Sequence, residues 1–144
     1  MAFAAPPGGR ADATAWDDGL LGADGCRVCH QRQYDDWGAT AHARAFDVLP
    51  QASRTDARCL GCHSTGDGAH ERGVQCESCH GPGADYWPSF VMRDKELARA
   101  IGLRAAGSPE VCGRCHTPEV PSLVPFLFKD ALPRVNHSRS GGES

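Results

Sequence analysis

The sequence predicts a mainly α chain with long loops and little or no β-sheet, and three observations carry that expectation. Apolar residues recur at helical spacing only in short runs, which Gly, Pro or a capping residue interrupts. Leu, Ile, Val and Phe together number 23 of 144 residues, too few for an ordinary core. The pattern C-x-x-C-H occurs four times, at Cys26, Cys29 and His30, at Cys59, Cys62 and His63, at Cys76, Cys79 and His80, and at Cys112, Cys115 and His116.

C-x-x-C-H is the attachment signature of c-type haem. Two thiols three positions apart can each add to one haem vinyl group, and the imidazole after the second thiol then lies under the iron. All eight cysteines are consumed, so none is left for a disulfide or a nucleophile. Zinc half-sites share the C-x-x-C spacing, but a tetrahedral site has no reason to demand His after every second Cys. Thioredoxin-like dithiols would need a β-α-β pattern that the chain lacks. The expected architecture is therefore a small multihaem cytochrome c fold wrapped around four stacked, covalently bound haems.

Composition agrees. A low content of large apolar residues usually accompanies disorder, yet the net charge is only -3. Four porphyrins, each a large apolar disc, resolve the conflict by serving as core, and the haem-free chain is not expected to fold. Haem propionates make the loaded protein more acidic than its residues alone, which excludes nucleic acid as a partner and leaves redox proteins. Thioether formation follows export, so the periplasm or another exported location is expected. No run approaches the roughly 18 apolar residues of a membrane span.

In chain order, residues 1–18 read as a flexible tail, with a signal-peptide remnant at 1–4. Residues 19–137 form the haem domain and 138–144 a second flexible tail. After His30, residues 31–37 look helical, with Tyr34 and Trp37 on one face. Thr40 caps a second short helix through Leu49 that Pro50 stops, placing His42 and Phe46 together. Residues 51–58 are a polar connection. Between His63 and Cys76 lies a loop carrying His70, and Gly81-Pro82-Gly83 turns the chain. Tyr86, Trp87 and Phe90 are expected to pack on haem. Residues 93–103 read as an amphipathic helix ended by Gly102 or Gly107. Ser108-Pro109-Glu110 has the cap, the proline and the first-turn acid of a helix start that delivers Cys112 and His116. A short apolar stretch then leads to His137.

The ligand on the face opposite each proximal His decides function. Seven His less four leaves three, His42, His70 and His137, for four irons. Met92 is the other candidate for the fourth iron, with Lys95, Lys129 and a neighbouring molecule's His behind it. A bis-His iron changes little on taking an electron, which suits a carrier.

The residues at 26–46 (CRVCHQRQYDDWGATAHARAF), 59–65 (CLGCHST), 73–86 (GVQCESCHGPGADY), 91–103 and 111–137 resemble the tetrahaem cytochrome c-554 family. The resemblance implies a mostly helical periplasmic electron carrier with three bis-His haems and a second haem, at His63, without a distal protein ligand. It further implies that His42 serves the third haem at His80, His137 the fourth at His116 and His70 the first at His30. The leading function is electron transfer between redox partners. The alternative is an oxidoreductase that binds or reduces nitric oxide or hydroxylamine at the haem attached to Cys59 and Cys62. Asp56, Asp67 and Glu71 are the only acids near enough in sequence to that motif to assist it. A third reading is self-association into an intermolecular haem chain.

Overall fold

A computed structural model describes residues 19–66 and 71–137, and within them the chain is mainly helical. The two tails expected at 1–18 and 138–144 lie outside the described residues, as does His70. Eight short helices follow one another: α1 (Ala23–Arg27), α2 (Gln31–Gly38), α3 (Ala57–His63), α4 (Cys76–His80), α5 (Ser89–Met92), α6 (Lys95–Ala100), α7 (Pro109–Cys112) and α8 (Phe128–Val135). Sheet is limited, among the described residues, to an antiparallel ladder of two residues per strand, β1 (Ser64–Thr65) and β2 (Glu71–Arg72), which pairs Ser64 with Arg72.

Caps set most helix starts. Asp56 opens α3 by accepting from the Arg58 amide, and Asp94 opens α6 by accepting from the Glu96 and Leu97 amides. Because Asp94 itself is extended, the helix expected over residues 93–103 begins only at Lys95, and Arg93 instead closes α5. Gly102 ends it in a Schellman turn: the Leu103 amide reaches the Ala98 carbonyl at 2.9 Å, and Gly102 takes φ +136°. Ser108 and Pro109 open α7 as expected, the Ser108 hydroxyl accepting from Val111. The apolar stretch before His137 includes α8, which forms despite Pro133 inside it.

The helix expected after Thr40 is replaced by successive i→i+3 turns. The reason is competition for carbonyls. His42 O accepts from the Val74 amide at 2.9 Å and Ala45 O is taken by the His63 ring, so the i→i+4 ladder does not propagate.

The protein-built core is small. Tyr86, Val91 and Ala98 form it, with Met92 and Leu103 packed alongside. Met92, a candidate iron ligand in the sequence, packs against this cluster. Tyr86, expected on haem, belongs to the same cluster, and its hydroxyl donates to the Gly81 carbonyl at 2.6 Å. Phe46 is buried under the guanidinium groups of Arg54 and Arg72. No large side chain among the described residues is fully buried, while Phe90 is 60% exposed and Val48 69% exposed.

Candidate haem centres

Each C-x-x-C-H motif forms one helical turn. The second and third lie within α3 and α4; in the first and fourth, the His30 and His116 amides reach the Cys26 and Cys112 carbonyls at 3.0 Å. Positions i, i+3 and i+4 of a turn share a face, so in every motif both thiols and the imidazole point to one side, as attachment of a single ring demands. None of the eight cysteines is joined in a disulfide.

Two pairs of imidazoles lie side by side, their planes inclined by 65° in one and 39° in the other. His42 stands opposite His116 and His137 opposite His80, with ring centroids 6.1 Å apart in both cases. A bond of about 2 Å from metal to nitrogen on each side, plus a ring radius of about 1 Å on each, adds up to about 6 Å. The gap therefore fits one metal ion held by two imidazoles. The resemblance implied the other pairing, His42 for the haem at His80 and His137 for the haem at His116; the structure brings His42 beside His116 and His137 beside His80. The loop carrying His42 is bonded to Val74 and to His63.

The electrostatics suit metal binding, which requires neutral imidazole. Burial, and then the neighbouring His116, lowers the pKa of His42. Burial, then His137 and His30, lowers that of His80, and burial lowers that of His116. His63 Nδ1 lies 2.5 Å from the Ala45 carbonyl, which commits that nitrogen to hydrogen bonding and leaves Nε2 for a metal. His116 packs flat on Phe126, and its Nδ1 is buried without a partner. Among the described residues neither His30 nor His63 has an imidazole placed as His42 and His137 are.

Contacts between motifs run in one order. The first meets the third, where the Ala23 amide donates to Gln75 Oε1 at 2.6 Å. The third meets the fourth, where Arg114 donates to the Ser78 carbonyl and Cys79 feels Cys112. The fourth meets the second, where Cys62 and Cys115 line one cavity. An open cavity of about 330 Å³ lies between the second, third and fourth motifs, lined by Cys62, Cys115, Ser78 and Arg114. A groove of about 400 Å³ runs beside His137 along the end of α2.

Residues 73–75 tie these parts together. Gly73 donates to the His63 carbonyl, Val74 to the His42 carbonyl, and the Val74 carbonyl accepts from Trp37 Nε1 at 2.8 Å. Thr65, buried, accepts from the Gln75 amide and bonds to Gly73 and Ser78. Sequence reasoning missed Glu77, because the x positions of C-x-x-C-H are unconstrained by the motif. Its carboxylate is 3% exposed and accepts from the amides of Leu21, Gly22 and Gly83. Asp56, a candidate acid near the second motif, is engaged as the cap of α3 and by Arg58.

The family model "Cytochrome c554 and c-prime" matches residues 25–81. A curated relative, the cytochrome c-554 of Nitrosomonas europaea, is 32% identical over 177 aligned positions, covering 84% of this chain and 75% of the relative. No solved structure matches the chain significantly.

Proposed function

The chain belongs to the cytochrome c-554 family and is a c-type cytochrome of electron transfer with covalently bound haem; from that premise we propose that its four motifs hold four haems and relay electrons between redox partners. The observation that carries the reading is the pair of imidazole couples at 6.1 Å, each joining a motif His to a His from a distant segment.

Bound haem supplies an iron that alternates between ferric and ferrous states and a conjugated ring through which electrons enter and leave. The protein's part is positioning. Cysteine pairs on one face of each turn hold a ring at two points. His116 with His42, and His80 with His137, would each hold one iron, and two imidazoles on an iron would favour a coordination that changes little when an electron arrives. His70 remains assigned to the first motif by the family likeness, and His63 has no assigned distal partner.

The contacts between motifs support a spatial order of first, third, fourth, second, which the unequal spacing along the chain conceals. Electrons entering beside Cys26 would thus leave beside Cys59, or the reverse. Thioether attachment supports an exported, periplasmic setting. Among the described residues no helix is long and apolar enough to cross a membrane.

The test is haem and iron per polypeptide, with the electron paramagnetic resonance spectrum of the oxidised protein. Four haems, with at least two low-spin bis-His signals, are expected. Fewer than four haems, or the absence of low-spin signals, overturns the reading. Carbon monoxide binding by the reduced protein reports separately on an open iron at the second motif.

A further inference from the structure

Glu77 is the one buried charge in the described core that the haem centres do not explain. It sits in the third motif, between Cys76 and Cys79, and faces away from the attachment side of the turn. Its Oε1 accepts from the Leu21 amide at 2.8 Å and the Gly83 amide at 2.7 Å, and its Oε2 from the Gly22 amide at 2.8 Å. Leu21 and Gly22 lead directly into α1 and the first motif, whereas Gly83 closes the turn after the third.

Three amide donors on two oxygens favour the ionised carboxylate, which only accepts. Burial removes the water that would otherwise screen it, so its charge acts on whatever lies close by. Closest are the first and third motifs. On the other side of the third motif the nearby charge is of opposite sign: Arg114 donates to the Ser78 carbonyl.

We propose that Glu77 is a positioning residue that clamps the first motif to the third and, as a fixed buried anion, lowers the reduction potential of the haems attached at those two motifs. A negative charge beside an iron favours the ferric state, which carries one more positive charge than the ferrous. The first and third motifs become the low-potential half of the relay, and electrons run downhill toward the fourth and second. The proposal rests on the four-haem reading above, but haem counting tests that reading separately.

The experiment is a spectroelectrochemical titration of the haem-loaded protein and its E77Q and E77D variants, with haem content measured on each sample. E77Q keeps the size of the side chain and removes its charge. In haem-complete E77Q, the two lowest-potential steps are expected to move upward while the other two stay in place. Four unmoved steps in a haem-complete sample overturn the proposal. E77D keeps the charge and decides the matter where E77Q takes up haem incompletely. Wild-type positions of the two low steps in E77D sustain the proposal, and raised positions overturn it.

Discussion

Substituting Gly73 by Ala strikes the point where the second, third and fourth motifs are held together. Gly73 adopts φ +85°, where an L side chain costs about 1–2 kcal/mol. An added Cβ would stand 2.7 Å from the Ala43 carbonyl oxygen and 3.2 Å from that of His42, both backbone atoms that cannot rotate aside. Relief requires moving residues 42–43 away, which breaks the bond from Val74 to the His42 carbonyl and strains the one from Gly73 to the His63 carbonyl. At about 1 kcal/mol for each hydrogen bond, the total is about 3–4 kcal/mol. Chemical denaturation of the haem-loaded protein measures that loss. The spectrum offers a second readout, because displacing His42 from His116 converts a low-spin haem to high spin. A G73A protein within about 1 kcal/mol of the parent, with its low-spin content intact, would refute the assignment of residues 73–75 as the clamp.

H42A and H137A should each add one high-spin haem to the resonance spectrum without changing haem content, and the double variant should add two; unchanged spectra would separate these residues from the irons. D56A removes the cap of α3 and should lower the melting temperature. Arg58, through its side chain and then its amide, holds the Asp56 carboxyl down at about 2. Because the folded value is depressed, the contribution is complete above the ordinary carboxylate value near pH 4 and is lost as pH falls through about 2. The gap in melting temperature between parent and D56A should close over that window, and an equal gap at both ends would contradict the capping role. Y86F removes a hydroxyl that donates to the Gly81 carbonyl inside the core, and denaturation should show a loss of about 1–2 kcal/mol. The haem-free chain should show no cooperative unfolding transition by circular dichroism; a sharp transition would mean that the side chains alone suffice as core.

Local chemistry was legible in the sequence wherever one short segment carries it. The four motifs, the Ser108-Pro109 start of α7, the stop at Gly102 and the Tyr34–Trp37 face of α2 can each be read within a few residues, and each is present. What could not be read depends on segments meeting from afar. His42 and His137 were recognisable as spare imidazoles, but which motif each faces depends on how the 40–49 loop and the C-terminal segment cross the molecule. The turns at 41–48 replaced a plausible helix because Val74 and His63, more than twenty and fifteen positions away, take its carbonyls. Met92 has the chemistry of a ligand and the surroundings of a core residue, and only the fold distinguishes the two.

The same limit explains why Glu77 escaped notice and why the order of the motifs did. Both follow from the third motif lying at the centre of the fold although it is neither first nor last in the chain. Gln75 receives the Ala23 amide, Glu77 receives the Leu21 and Gly22 amides, and Ser78 receives Arg114, so three nearly consecutive residues bind the first motif on one side and the fourth on the other. Each partner comes from a different part of the sequence. With so few buried apolar side chains, hydrogen bonds to one short helix do much of the positioning that a larger protein assigns to its core. The consequence for function is direct: Glu77, which holds the first motif to the third, is also the buried charge to which the tuning of their haems is assigned. In this chain a change to the architecture and a change to the potentials are therefore often the same substitution.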